Sequence, residues 1–114
     1  MGWTGDAQVF CKTASINFDV EKFFSKWLAD VRVNQREDGA ICVVSPIFPV
    51  KEIGKYSSGW GDAIIICPWN IYLAYGNKKI LEDNFDSMVK WIEFIHSYGE
   101  EEFLWIGGDH YGDW

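Results

Sequence analysis

Basic residues are scarce in this 114-residue chain. Ten Lys and Arg stand against seventeen Asp and Glu, for a net charge of −7. No basic stripe is present to follow a phosphate backbone, so nucleic acid is not expected as a partner. Long apolar runs are also missing. The longest covers residues 63–69, far short of the ~20 residues that cross a bilayer, and no membrane partner is expected. Cys11, Cys42 and Cys67 are odd in number, widely spaced and without a Cys-x-x-Cys pair. A disulfide framework or zinc site is therefore not expected, and the three read as buried reduced thiols. No loop has the acidic spacing of a calcium site, and no metal or cofactor is implied. Gly107-Gly108 is too little glycine for a phosphate loop. A basic start followed by an apolar run is absent, so no signal peptide is read and a cytoplasmic location is favoured.

Aromatic side chains are abundant, at 18% of the chain with seven Trp, and the hydrophobic share is 48%. The apolar fraction excludes a disordered chain, and the length fits one domain at most. The tryptophans imply either a bulky core or an aromatic-lined site.

The periodicity is helical. Val20, Phe23, Phe24, Trp27, Leu28 and Val31 form one stripe of a 3.6-period helix. Asn17 or Asp19 is expected to cap its start, and Asp38-Gly39 to end it. Leu81, Phe85, Met88, Ile92 and Ile95 form a second stripe, with Asn77 as the expected cap and Gly99 as the stop. A shorter, more apolar helix is expected before each: one from Asp6 to about Ile16, the other from Asp62 to about Tyr75. The second is apolar all round and should be buried on most sides. Pro68 lies within it, either kinking the helix or starting it after an extended lead-in. The organisation expected is a first hairpin over about 6–38, a long loop over 39–59 with room for a small hairpin of strands, a second helical hairpin over about 62–98, and a Gly-rich tail over 99–114.

The two hairpins repeat. Trp3-Thr4-Gly5-Asp6-Ala7 is similar to Trp60-Gly61-Asp62-Ala63, and Gly112-Asp113-Trp114 is a third cluster. Asp6 and Asp62 stand 56 positions apart, Asp62 and Asp113 51. An Asp at a helix start suits the free N–H groups and the positive dipole end, which explains all three without a ligand. The sharper reading is that each hairpin returns its opening to one end of the structure. Trp and Asp would then gather on one surface, a flat apolar face with acceptors for vicinal hydroxyls, which is the chemistry of a sugar site. Because the chain starts and stops at such openings, it is expected to be a piece of a larger helical toroid.

These residues, together with Asn17-Phe18-Asp19, Lys26-Trp27-Leu28, Gln35 with Asp38-Gly39, Pro68-Trp69 and Tyr72-Leu73-Ala74-Tyr75-Gly76, resemble the catalytic domain of bacterial α-L-rhamnosidases over essentially the whole chain. The resemblance implies an all-α fold, consecutive antiparallel helical hairpins forming part of an (α/α)6 toroid. It implies an inverting glycoside hydrolase that removes terminal α-L-rhamnose, with a general-acid carboxyl on the leaving oxygen and a general-base carboxylate on water. The family's acid is a Glu four residues before the motif Trp. Trp3 fills that Trp position, so the acid falls outside this chain, as does the base, and no catalytic residue is assigned here.

The resemblance carries over sugar contacts: Trp3 and Asp6 from the first motif and Trp60 from the second, with Asp62, Asp113 and Trp114 as weaker transfers. His110, beside Asp109 and Asp113, is added as a possible pocket contact. Trp27, Trp69 and Trp91 read as core packing. His96 reads as a solvated or dipole-stabilised helix-end residue, and Glu100-Glu101-Glu102 as a solvated turn. Two other readings stand beside this one: a different (α/α)6 glycosidase, and a small non-catalytic carbohydrate-binding or interaction protein. The expected partners are a rhamnose-containing glycoside and the remainder of the parent barrel. In isolation, uncovered lateral faces predict a homo-oligomer.

Overall fold

The computed structural model describes residues 2–47, 55–98, 101 and 104–106. Four helices carry the fold: α1 (Thr4–Asn17), α2 (Glu21–Val33), α3 (Ala63–Tyr75) and α4 (Lys79–Tyr98). Two two-residue strands, β1 (Gly2–Trp3) and β2 (Val44–Ser45), pair antiparallel with Trp3 opposite Val44. The all-α expectation holds apart from this short ladder. Helix α3 lies at the centre and packs on α1, α2 and α4. Cys11, Leu28, Ile64, Cys67, Ile71 and Trp91 meet in the core.

The helix starts differ from the expected caps. Helix α1 begins at Thr4, not at Asp6, and Trp3 is its N-cap without a side-chain cap bond. The cause is the ladder. Thr4 donates its N–H to the Val43 carbonyl at 2.9 Å and its buried Oγ1 to the same oxygen at 3.0 Å. Asp6 therefore stands in the first turn, where the dipole still favours a carboxylate. Neither Asn17 nor Asp19 caps α2, whose N-cap is Val20. Tyr75, at the end of α3, holds this corner instead. Its hydroxyl accepts from the Val20 N–H and donates to the Phe18 carbonyl, both at 3.1 Å.

Helix α2 ends at Val33, short of Asp38-Gly39. Asn34 ends it, donating its side-chain amide back to the Asp30 carbonyl at 2.6 Å in competition with the backbone. The first hairpin's helices are consequently of similar length, 14 and 13 residues, and only α4, at 20, outruns its predecessor. Pro68 is fully buried inside an α3 that runs through it. Its missing N–H removes one helical bond, to the Ile64 carbonyl. Gly76 closes α3 in the left-handed conformation (φ 72°), which a residue without Cβ adopts at no steric cost.

The stripe expected on α4 is buried only in part, with Leu81 and Ile95 half-buried against the core. Ile80, Asn84, Ser87, Trp91 and Phe94 face the core, while Phe85 is 61% exposed and Ile92 53%. Two polar members disguise the buried face. Asn84 accepts from Arg32 at 2.7 Å and donates to the Ile80 carbonyl at 2.6 Å, and the Ser87 carbonyl accepts from Gln35 at 3.1 Å. Trp27 and Trp91 are core residues as expected, but Trp69 is 51% exposed, because α3 turns Ile66, Trp69 and Leu73 outward on one face. The expected long loop is buried at its start. Residues 40–45 are all buried, and Val44–Ser45 pairs with the chain's first strand rather than within the loop. No helix among the described residues is long and apolar enough to cross a membrane.

Candidate functional site

Both Gly-Asp openings use the glycine as a floor for an indole. A Cβ on Gly5 would lie 2.8 Å from Trp60 Nε1 and 2.9 Å from its Cδ1 and Cε2. A Cβ on Gly61 would lie 2.4 Å from Cζ2 of Trp91 and 2.5 Å from its Cη2. Neither ring could lie where it does over any other residue. Trp60 is thereby held against the helix turn that carries Asp6, joining the openings of the two hairpins.

Trp3 and Asp6 open onto a groove of about 970 Å³ between α1 and α2, with Phe10, Phe23, Lys26 and Trp27 among its walls. Trp27 donates its indole N–H to the Ser45 carbonyl at 3.2 Å, which fixes its ring at the base of the ladder. The Asp6 carboxylate is exposed and engages no hydrogen bond among the described residues. It is a ready acceptor beside aromatic walls.

Asp62 is placed differently. Its Oδ1 accepts from Trp91 Nε1–H at 2.9 Å and its Oδ2 from the Gly59 N–H at 3.1 Å. It occupies the N-cap position of α3 but makes no side-chain cap bond. Its two oxygens tie α4 to the turn that precedes Trp60. Gln8 ties the same turn from the other side by donating Nε2–H to the Gly59 carbonyl. Motif reading passed over Gln8. The signal that was available is the repeat itself: 56 positions on, its counterpart is the buried Ile64, so a polar side chain there breaks the apolar pattern.

Trp91 continues into an aromatic cluster. It stacks on Phe94 at 5.7 Å, and Tyr56 meets Phe94 and Tyr98 edge-on at 5.0 and 5.4 Å. The Arg36 guanidinium lies over the Tyr56 ring at 5.1 Å. Burial, then the Tyr98 hydroxyl, pushes the Tyr56 phenol up. These groups build the wall behind the openings.

All three cysteines are free and buried. Cys11 and Cys67 are repeat partners, 56 positions apart, and Cys11 Sγ lies 3.9 Å from the Cys67 carbonyl. The neighbouring Cys11 thiol and burial together push the Cys67 thiol well above the ordinary range. His96 is exposed in the last turn of α4. Among the described residues no group of three or more His, Cys, Asp or Glu could hold a metal ion. His110, Asp113 and Trp114, the remaining expected sugar contacts, lie outside the described residues.

Helical hairpins whose openings meet through an indole laid on glycine define a helical-hairpin domain. The chain belongs to the bacterial α-L-rhamnosidase 6-hairpin glycosidase domain family, whose model matches residues 1–114. An α-L-rhamnosidase of Formosa agariphila is 47% identical over 104 residues, 91% of this chain and 11% of its own length. One from Streptomyces avermitilis is 39% identical over 114 residues, all of this chain and 11% of its own. Among solved structures, the Streptomyces avermitilis α-L-rhamnosidase complexed with L-rhamnose superposes with a TM-score of 0.82 at 38% identity, over 88% of this chain and 10% of that one. The Dictyoglomus thermophilum α-L-rhamnosidase gives 0.80 at 36% identity, over 88% and 11%. The chain thus spans about a tenth of the length of the curated relatives it matches.

Proposed function

We propose that this chain is the sugar-binding arc of an inverting α-L-rhamnosidase catalytic domain, which removes terminal α-L-rhamnose from a glycoside. The observation that carries the reading is that Trp3 and the exposed Asp6 carboxylate line one groove, while the Trp60 indole lies on Gly5 of the same helix turn. An aromatic ring and an acceptor share that groove, and the second hairpin's indole packs on the turn that carries Asp6. Stacking against the apolar face of a sugar, with a carboxylate on its hydroxyls, is the chemistry such a pair supplies. One relative of known structure that superposes on this chain is complexed with L-rhamnose, which supports the choice of sugar.

In this reading Trp3, Asp6 and Trp60 touch the sugar. Asp62 acts behind them through Gly59 and Trp91. His110, Asp113 and Trp114 are proposed as further contacts on the motif match alone. The general acid and base are supplied from outside these residues, so the 114-residue chain binds without turning over. The rest of the hairpin domain is its partner and covers its lateral faces.

The test is p-nitrophenol release from p-nitrophenyl α-L-rhamnoside, by this chain and by a version extended at both ends to the length of its relatives. Release only by the longer protein is expected, with loss on Asp6→Asn. Release by the 114-residue chain alone would overturn the assignment of both catalytic carboxylates.

A further inference from the structure

We infer that Gln8 is a positioning residue for Trp60, acting from helix α1 on the turn that carries the ring. The inference rests on the reading of Trp60 as a wall of the sugar site. It concerns a residue to which the sugar motifs assign no role.

The residue before Trp60 is gripped at both backbone groups. Gln8 donates to the Gly59 carbonyl, and the Gly59 N–H donates to Asp62 Oδ2 at 3.1 Å. One grip comes from the first hairpin and one from the second. Asp62 is itself held by Trp91 Nε1–H at 2.9 Å, from a ring fully buried in the core. The turn is therefore referenced to α4 through Asp62 and to α1 through Gln8. Only the second link fixes Trp60 relative to Asp6, two residues before Gln8 on the same helix. Gly5 supplies the floor on which the indole rests.

The Gln8 amide pays for this placement. Its Oε1 is buried and has no hydrogen-bond partner among the described residues. A buried acceptor left unsatisfied costs free energy that a side chain turned to solvent avoids. The amide stays in, with the Gly59 carbonyl as its one hydrogen-bonded contact among the described residues.

The test uses the 114-residue chain with ¹⁵N-labelled tryptophan, in which Trp60 and Trp91 each give an indole N–H resonance. In the wild type, nuclear Overhauser contacts from the Trp60 indole to the Gly5 Hα are expected, and their absence overturns the inference before any variant is made. Gln8→Met keeps the length and removes the donor. Gln8→Glu keeps the shape and exchanges the donor for oxygen. Both are expected to move the Trp60 resonance and leave that of Trp91 in place. Titration with free L-rhamnose should show affinity weakened about fivefold, the scale of one neutral hydrogen bond. Acid that protonates the introduced carboxyl restores a donor and should return the Trp60 resonance toward its wild-type position, which a merely structural role would not do. If Trp60 moves in the variants while L-rhamnose shifts nothing in the wild type, Gln8 positions the ring and the sugar reading is wrong. If Trp60 stays put in both variants, the inference is wrong whether or not the sugar binds.

Discussion

Replacing Gly61 by Ala tests the packing of the second opening at its tightest point. The added methyl would stand 2.4 Å from Trp91 Cζ2, 2.5 Å from Cη2 and 2.9 Å from Cε2. The first two separations fall about an ångström below ordinary carbon–carbon contact, and the third about half an ångström. The indole is fully buried and stacked on Phe94, and its N–H is committed to Asp62. Two responses are open. If the ring stays, the opening of α3 must shift, and overpacking of this kind costs about 1–3 kcal/mol. If the ring swings, the bond to Asp62 breaks, and a hydrogen bond to a charged group contributes about 1.5–3 kcal/mol. Either route predicts a loss of about 2–3 kcal/mol, or a fall in Tm of roughly 10–20 °C for a domain of this size. Urea unfolding followed by circular dichroism measures it, with Gly76→Ala as the reference. Nothing lies within 4 Å of a Cβ at Gly76, whose φ is 72°, so that change carries only the left-handed penalty of about 1–2 kcal/mol. A Gly61→Ala protein as stable as wild type, or more stable than Gly76→Ala, would refute the packing described.

Three further outcomes are expected. Cys67 should resist iodoacetamide at pH 8 in the folded chain and react on unfolding, since burial and its neighbour Cys11 hold the thiol protonated; rapid native alkylation, read by mass spectrometry, would contradict this. At Asp38, burial works against ionisation, but the Ala40 N–H and the Arg36 guanidinium prevail and lower its pKa. A lowered carboxylate stabilises above its unfolded pKa and loses that contribution as pH falls through the folded one. Asp38→Asn should therefore cost a few tenths of a kcal/mol (~0.3) at pH 7, given the exposure of the pair, and the gap to wild type should close below about pH 4. Finally, Val9, Phe10 and Ile16 on α1, Ile66, Trp69 and Leu73 on α3, and Phe85, Val89 and Ile92 on α4 are exposed. Sedimentation of the isolated chain should give a mass above 13.2 kDa, and a clean monomer at micromolar concentration would remove the expected homo-oligomer.

The repeat was the legible part. Gly-Asp at 5–6 and 61–62 marked two hairpins, and the same pairs meet in space through Trp60. Periodicity found the buried face of α2, through Phe24, Trp27, Leu28 and Val31, but misjudged that of α4. Helix α4 has apolar residues on two faces, and the core-facing one carries Asn84 and Ser87, so a search for the greasiest stripe chose the other. Trp69 was misjudged for the same reason, since α3 is apolar on its inner and outer faces alike. Hydrophobicity says that a face will be covered, not by what. Residues 40–45 were read as loop because strand spacing there is brief, and their burial comes from a partner forty residues upstream. The expected starts of α1 and α2 failed because Val43 and Tyr75 satisfy them from other parts of the chain, and that information is absent from local sequence. Of the residues proposed for the site, Trp3, Asp6 and Trp60 were named by motif, whereas Gln8 was named from the fold.

The short ladder has a consequence for the order of assembly. Gly2 and Trp3 pair with Ser45 and Val44, and the first turn of α1 hangs from Val43. Helices α1 and α2 each form from local contacts, but these pairings close a chain segment of about forty residues, and closure of that kind is slow compared with helix formation. Trp3 and Asp6 therefore acquire their final register only after residues 43–45 have been made and docked, and Trp60 reaches Gly5 later still. On a ribosome, the first of these two hairpins would emerge with its helices formed and its opening unfinished, waiting on its successor.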